Sequence, residues 1–215
     1  MKSYVVVGLG RFGSEVARQL YRCDCEVLAI DLRSELVQQI SPDVTHAAVG
    51  DSRDKEVLRA LGVGDFDCAI IAIGEDLAAS VLITMNMKEL GVPYLVCKAH
   101  DDVHRRVLEK LGADRVVIPE QENAARLAKS LSTPNLLDYI ELSEEYSIIE
   151  LPAPKSWVGK NLKELNVRAK LGVNILAVRR NGKMDVSPTA DFAFADGDIV
   201  VVLGDARSLK NVERL

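Results

Sequence analysis

The sequence has 215 residues, of which 48% are hydrophobic and 27% are charged, with a formal net charge of −5. This composition is typical of a globular chain that can bury a sizeable core, and the negative charge argues against a nucleic-acid partner, because phosphate backbones are bound by basic surfaces. The first apolar run, Tyr4 to Val7, is too short for a signal peptide, and no stretch reaches the ~18 apolar residues of a membrane span, so we expect a cytoplasmic protein.

Apolar runs alternate with amphipathic segments through the first 119 residues. The apolar runs predict parallel strands, and the amphipathic segments predict helices. In chain order we predict a strand at 4–9, a helix at 11–21, a strand at 26–31, a helix at 34–40, a strand at 45–51, a helix at 54–61, a strand at 67–74, a helix at 76–90, a strand at 94–99, a helix at 102–111 and a strand at 114–119. This alternation predicts an α/β fold, a doubly wound parallel Rossmann-like sheet with right-handed crossovers.

The pattern changes after residue 119. A further helix at 120–132 has no strand of the same sheet after it, and residues 135–150 combine a connector with a new strand. Strands are predicted at 175–182, 192–194 and 198–204, with Asn181-Gly182 as a hairpin turn. We therefore predict three regions: a nucleotide-binding domain at 1–119, a crossover and dimerisation helix at 120–134, and a small α+β C-terminal domain at 135–215.

The segment between the first strand and the first helix carries the spacing Gly-x-Gly-x-x-Gly. Gly8 is expected to make the tight turn, Gly10 to let a pyrophosphate approach the backbone, and Gly13 to let the helix pack close to the sheet. The helix that follows presents free N–H groups and a partial positive charge to phosphates. The strand before and the helix after supply the context that this motif requires.

Two aspartates follow the second and third strands. Asp31 can accept hydrogen bonds from both hydroxyls of an adenosine ribose and would repel a 2′-phosphate, although Arg33 weakens the argument against NADP. Asp51 ends at the same edge and is predicted to contact the adenine or ribose. The alternative is that both aspartates only cap the helices that follow them.

Arg11 is unusual within a dinucleotide-binding turn. A guanidinium at this position can clamp a phosphate with two hydrogen bonds, on its own nucleotide or on that of a neighbouring subunit. The alternative is a solvated arginine in the first turn of the helix. Such an arginine would oppose the helix dipole, which favours a bound anion as the explanation.

Glu120 and Glu122 follow the sixth strand and are predicted to lie at the phosphate edge of the sheet. Carboxylates beside phosphates repel them unless a hard cation such as Mg²⁺ or Ca²⁺ lies between. Alternatively, both are N-terminal helix charges that the dipole favours.

Neither a catalytic constellation nor a zinc site emerges from the sequence. It contains no nucleophile elbow, no Walker lysine and no general-base pattern, so we do not expect an enzyme. His100 and His104 are four residues apart but have no third ligand. The four cysteines are interpreted as buried or incidental thiols, since Cys23 and Cys25 form CxC rather than CxxC.

Several segments together resemble the regulator-of-potassium-conductance (RCK) family, most closely the cytosolic gating subunits of Ktr/Trk-type potassium uptake systems. The resemblance covers essentially the whole chain. It is carried by VVGLGRFGSEVARQL, VLAID, AIGED, HRRVLEKLGADRVVIPEQENAARLAKSL and the tail from GKNLKELNVRAKLGVNILAVRRNG to GDIVVVLG.

The resemblance implies a non-enzymatic regulator with several ligands. Such subunits form homodimers that assemble into a homo-octameric ring beneath a membrane-embedded potassium-translocating subunit. The first domain binds ATP or ADP, and sometimes NAD(H); ATP favours the active ring and ADP the inactive one. Arg11 matches the position that reaches a partner subunit's phosphates, and Glu120 the position that holds a divalent cation, Mg²⁺ or Ca²⁺.

The predicted binding residues fall into two groups. The nucleotide contacts are Gly8, Gly10, Arg11, Phe12, Gly13, Asp31, Leu32, Asp51, Ser52, Ile73, Gly74 and Lys98. The C-terminal domain resembles a module that binds cyclic di-AMP, and the matching positions are Arg168, Asn174, Ile175 and Pro188.

Two other classes of function fit parts of the sequence. A small NAD-dependent oxidoreductase would use the same glycine motif, but the sequence supplies no hydride-transfer partner. A redox-sensing transcriptional repressor would need a basic helix that reads DNA, and none is visible.

Overall fold

A computed structural model describes residues 2–132, 137–143 and 145–215. The chain divides into two compact units, Met1–Glu120 and Gln121–Leu215, termed here the N-terminal and C-terminal units. Across the described residues, every helix is either too short or too polar to cross a membrane. The predicted domain boundaries after residues 119 and 134 stay predictions.

The N-terminal unit is a parallel sheet with helices in the crossovers. Its strands are β1 Ser3–Val7, β2 Glu26–Asp31, β3 His46–Val49, β4 Cys68–Ile71, β5 Leu95–Lys98 and β6 Arg115–Val117, and its helices are α1 Arg11–Arg22, α2 Ser34–Ile40, α3 Lys55–Ala60, α4 Leu77–Glu89 and α5 Asp102–Lys110. The strand order β3-β2-β1-β4-β5-β6, with every pair parallel, confirms the predicted doubly wound fold. The order reverses between β1 and β4, which is where such sheets bind ligands.

The central strands are buried on both faces. All four residues of β4 are buried, and Val5 and Val6 of β1 have no exposed surface although they point to opposite faces. One face packs with Leu58 and Ile83, the other with the α1 residue Ala17. Burial on both sides explains why these strands read as continuous apolar runs.

The C-terminal unit is built around an antiparallel sheet in the order β10-β9-β11-β8-β7. A helix, α6 Pro119–Ser132, begins at the end of the N-terminal unit. The remaining elements are β7 Asp138–Glu141, β8 Tyr146–Pro152, α7 Leu162–Leu165, α8 Val167–Leu171, β9 Asn174–Arg180, β10 Lys183–Asp185, β11 Ile199–Asp205 and α9 Ala206–Glu213. Trp157 and Phe194, both nearly fully buried, meet at a ring-centroid distance of 5.4 Å in its core.

The hairpin turn between β9 and β10 is confirmed. Asn181 and Gly182 have φ of 51° and 77°, the positive values that a type I′ turn requires at both central positions. Lys183 pairs with Arg180 directly across the turn.

Other C-terminal predictions need correction. Residues 192–194 do not form a strand: Ala193 makes a single bridge to Asn161, while the buried ring of Phe194 and the partly buried ring of Phe192 pack against the core. The new strand expected within 135–150 is two strands, β7 and β8. The sequence reading missed α7, α8 and α9. Residues 133–136, which include the end of the predicted crossover helix, and Glu144 lie outside the described residues.

Candidate functional site

The turn between β1 and α1 depends on two glycines. Gly8 has φ of 90° and donates its N–H to the carbonyl of Ile30 at 2.9 Å. A Cβ on Gly13 would lie 1.9 Å from the Gly8 carbonyl oxygen, so only a glycine permits this approach of helix to turn. The structure therefore gives Gly8 and Gly13 the steric roles predicted from the motif spacing.

The N-terminus of α1 is open. Gly10 is its N-cap residue and gives no side-chain hydrogen bond, and the first turn holds no acidic residue. A Cβ on Gly10 would have no neighbour within 4 Å. The N–H groups of the first turn can therefore bind a phosphate that approaches this space.

Arg11 and Phe12 start the helix beside this opening. Arg11 is exposed, and none of the ion pairs between described residues includes it. Phe12 is half-buried. An exposed guanidinium beside the helix N-terminus is compatible with a phosphate clamp and with a solvated arginine, so its role stays a prediction.

Asp31 ties the glycine turn to the end of β2. Its Oδ2 accepts a hydrogen bond from the backbone N–H of Leu9 at 2.7 Å, and its Oδ1 accepts from the N–H and Nε of Arg33 at 2.9 and 3.3 Å. Arg33, and not Asp31, is the N-cap residue of α2, so capping of that helix does not explain Asp31. A buried carboxylate with lone pairs left at Oδ2 remains suited to a ribose hydroxyl.

Asp51 has a different partner from the one that helix capping would give it. Asp54 caps α3 by accepting the Glu56 N–H, whereas Asp51 pairs with Arg53 at 2.7 Å. The hydrogen bonds from Arg53 hold the pKa of the Asp51 carboxyl below its usual value. Asp51 is therefore ionised at neutral pH and lies at the same sheet edge as Asp31.

Ser52 is a buried polar residue in this edge. It is 5% exposed, and its Oγ has no hydrogen-bond partner among the described residues. Buried hydroxyls nearly always have a partner, which can be a ligand or a water molecule. Leu32, another residue of the predicted set, follows β2 and is 57% exposed.

The edge continues at β4 and β5. A Cβ on Gly8 would lie 3.1 Å from Ile73 Cγ1, and a Cβ on Gly74 would lie 3.2 Å from Lys98 Cε. Ile73 thus lies beside the glycine turn, and Gly74 lies beside the Lys98 side chain. Lys98, the last residue of β5, brings its ammonium 5.8 Å from the centre of the Phe12 ring.

Glu120, the predicted cation ligand, pairs with Lys98. The distance from Lys98 Nζ to Glu120 Oε1 is 2.7 Å, and this hydrogen bond lowers the pKa of the Glu120 carboxyl. Glu122 is exposed on the same helix. Within the described part of the chain, the acidic, histidine and cysteine side chains do not gather in threes around a possible metal, so the metal role of Glu120 stays a prediction.

The structure thus brings the predicted nucleotide residues to one edge of one sheet. Sequence reasoning missed the ionic partners of this edge. Arg33 and Arg53 each follow an aspartate by two residues, in Asp31-Leu32-Arg33 and Asp51-Ser52-Arg53, and this repeated spacing was the signal that could have revealed both pairs.

The four residues predicted to bind cyclic di-AMP lie on three separate segments. Arg168 is exposed on α8, Asn174 and Ile175 begin β9, and Pro188 follows β10 and is half-buried. Their predicted role in binding cyclic di-AMP stays a prediction.

His104, Cys68 and Cys97 are buried in the core of the N-terminal unit. The buried His104 accepts the His100 N–H at Nδ1, at 3.3 Å, and burial lowers its pKa. Burial raises the pKa of the Cys68 and Cys97 thiols to about 11. Both thiols therefore stay protonated and unreactive at neutral pH.

Comparison with known proteins decides the family. The TrkA-N domain matches residues 4–119 and the TrkA-C domain matches residues 146–215. The chain belongs to the RCK family. Ktr system potassium uptake protein C of Bacillus subtilis is 41% identical over 213 residues, which are 99% of this chain and 96% of the relative. Ktr system potassium uptake protein A of the same organism is 40% identical over 212 residues, with the same two coverages.

A solved RCK structure agrees in fold. The GsuK channel bound to NAD has a TM-score of 0.69 at 20% identity, and the match covers 100% of this chain and 39% of that chain. At this identity the likeness supports the fold alone. The predicted RCK resemblance, made from the motifs, is confirmed.

Proposed function

We propose that this RCK chain is the nucleotide-sensing regulatory subunit of a Ktr-type potassium uptake system. The full-length similarity to two Ktr system potassium uptake proteins supports this role. As a regulator it would bind nucleotides without turnover, act in the cytoplasm, and reach the membrane only through a potassium-translocating partner.

One observation carries the nucleotide part of the proposal. The turn at Gly8, Gly10 and Gly13 lies at the reversal point of the sheet and leads into a helix N-terminus with neither an acidic residue nor a side-chain cap. Buried Asp31 lies directly beside it. Phosphates at the helix and a ribose at the aspartate are the ligands that this chemistry favours.

Adenine nucleotides are the proposed ligands. Solved GsuK structures carry NAD in one case and ADP in another, and both molecules share an adenosine diphosphate part that fits this edge. We propose ATP as the activating ligand and ADP as the inhibiting one, with NAD(H) as an alternative occupant.

Arg11 would distinguish ATP from ADP by contacting the γ-phosphate. The exposed guanidinium is free to reach the terminal phosphate of a nucleotide on a partner subunit in a dimer, and dimers would assemble into an octameric ring. The γ-phosphate adds charge and acceptors for such a clamp. A ligand changes the shape of a ring only through its different affinities for the two shapes, so this contact would bias the ring toward its active form.

Two further ligands belong to the proposal. A divalent cation, Mg²⁺ or Ca²⁺, would bind Glu120 near the phosphates at the dimer interface. Cyclic di-AMP would bind the C-terminal unit near Arg168, Asn174, Ile175 and Pro188.

Reconstitution tests the proposal directly. The chain is co-purified with its membrane subunit and placed in vesicles, and potassium flux is measured with ATP, with ADP and without nucleotide. We expect faster flux with ATP than with ADP. Equal flux in all three conditions, with the complex intact, would contradict the proposed function.

A further inference from the structure

The Lys98 side chain lies between the glycine turn and the first turn of α6. Its ammonium is 2.7 Å from Glu120 Oε1 and 5.8 Å from the centre of the Phe12 ring. Its Cε packs close to Gly74. The side chain of Lys98 is 17% exposed and that of Glu120 is 68% exposed, so the lysine is confined while its carboxylate partner is free to move.

The Lys98–Glu120 ion pair sets the charge that a phosphate would encounter near the N-terminus of α1. Lys98 Nζ donates a hydrogen bond of 2.7 Å to the Glu120 carboxylate, so the two charges already form an ion pair. Without a ligand, the charge of the Lys98 ammonium is already neutralised by Glu120. A phosphate at the N-terminus of α1 would be attracted by the Lys98 ammonium and repelled by the Glu120 carboxylate, so the two anions would act on the same lysine in opposition.

We propose that Glu120 and the phosphates of the nucleotide compete for the Lys98 ammonium. This inference rests on the proposed nucleotide-binding function and deepens it by naming how occupancy of the site reaches α6. When phosphates take the ammonium, Glu120 is released in the first turn of that helix. Because α6 starts at Pro119 and continues past the end of the N-terminal unit at Glu120, the release acts where the chain leaves that unit.

Competition is favoured over sharing by the geometry of the lysine. An ammonium has three N–H donors and can in principle bridge two anions. Here the methylenes lie against Gly74 and the ammonium is directed at Glu120, so a move toward the phosphates lengthens the contact with Glu120. The exposed glutamate loses little when it is released, because water solvates it.

A double-mutant cycle tests the competition. ADP binding is measured by calorimetry in EDTA and 0.3 M salt for the parent protein, E120Q, K98M and the double variant K98M/E120Q. In the parent background, E120Q is expected to tighten ADP binding about three- to fivefold, the upper part of the range for an exposed ion pair. In the K98M background the same change is expected to give less than about twofold, because only salt-screened repulsion remains.

The outcomes separate this inference from the proposed function. Equal gains in both backgrounds mean that Glu120 acts by repulsion alone, and the competition is overturned while nucleotide binding stands. Weaker ADP binding by E120Q in the parent background also overturns it. A parent protein that binds neither ADP nor ATP instead contradicts the proposed function itself.

A ligand without phosphates and two variants at other ion pairs exclude effects that do not depend on contact with the phosphates. Adenosine has no phosphate, so E120Q is expected to leave its affinity unchanged; an equal gain for adenosine overturns the competition. K88M and E89Q remove charges that form ion pairs with Asp114 and Lys55 near the end of α4. Both are expected to bind ADP as the parent does, and melting temperatures confirm that every variant is folded.

Discussion

The two units of the chain use their charged residues differently. In the N-terminal unit the central strands are apolar, and the ion pairs Asp51–Arg53 and Lys98–Glu120, together with that of the buried Asp31 with Arg33, lie at the edge where strands end. In the C-terminal unit one ion pair is partly inside the fold: the Asp198 side chain is fully buried and pairs with Arg180. The Cζ atom of Arg180 also lies 4.9 Å from the centre of the Phe192 ring. Under the proposal above, a ligand would exchange with the charges at the first edge, whereas the buried charge on Asp198 stabilises the C-terminal unit.

The largest expected effect tests the steric basis of the N-terminal site. Gly13→Ala places a Cβ 1.9 Å from a backbone oxygen, and we expect a loss of roughly 4 kcal/mol or more in stability of this unit. Calorimetry is expected to detect no ADP binding, while the fluorescence of Trp157, the single tryptophan of the sequence, still reports a folded C-terminal unit.

Gly10→Ala is the matched control for that variant. Gly10 has φ of −66° and no neighbour within 4 Å of its Cβ position, so the fold is expected to tolerate alanine. ADP binding is expected to weaken because the methyl group occupies the space through which phosphates approach. If Gly13→Ala and Gly10→Ala melt at the same temperature, the steric account of the turn is wrong.

A variant in the core of the C-terminal unit tests whether its packing affects nucleotide binding. Phe194→Ala removes a buried ring that contacts Trp157, and we expect a loss of about 3–5 kcal/mol in the free energy of unfolding of the C-terminal unit. Urea unfolding followed by Trp157 fluorescence measures this loss. ADP binding is expected to stay within about twofold of the parent, since a stability change of this kind leaves a folded N-terminal site unaltered. A large loss of ADP affinity would contradict this expectation.

The smallest expected effect concerns the buried Asp198. Hydrogen bonds from Arg180 and the Ala195 N–H hold its pKa below the usual value. The carboxylate therefore stabilises the fold above the unfolded-state pKa of ~3.9, and that stability is lost as pH falls through the lower folded-state pKa. Asp198→Asn is expected to cost about 2 kcal/mol at pH 7 and to make acid unfolding shallower, as followed by Trp157 fluorescence.

Asp196→Asn controls for the loss of one negative charge. Asp196 is exposed two residues earlier in the same loop. It is expected to unfold like the parent at every pH. If Asp198→Asn behaves in the same way, the buried pair does not stabilise the unit.

The sequence predicted the N-terminal unit far better than the C-terminal one. Residues 26–31 and 34–40 were predicted to the residue, because parallel strands buried on both faces and helices between them give strong periodic signals. The nucleotide edge followed from topology, since strand ends meet at one edge. In the C-terminal unit, the alternating aromatic residues at 192 and 194 give the sequence pattern of a strand although no strand forms there. The four-residue α7 is too short to show a helical period in the sequence.

The partners of charged side chains were the part that sequence could not supply. Glu120 was predicted to face phosphates through a cation, and the structure pairs this α6 residue with Lys98 at the end of β5. Such a contact depends on the spacing of β5 and α6 in three dimensions. By contrast, the local pair of Asp51 with Arg53 was within reach of the sequence, because its members are two residues apart.

The ratio of ATP to ADP affinity in Arg11→Ala shows whether this guanidinium senses the γ-phosphate. The assembled protein, the variant and the control Arg22→Ala, at the opposite end of α1, are titrated with each nucleotide by calorimetry. If Arg11 senses the γ-phosphate, the variant loses about tenfold in ATP affinity, the value of one charged hydrogen bond, while ADP affinity changes by less than about twofold and Arg22→Ala matches the parent. An unchanged ratio in Arg11→Ala would contradict the account.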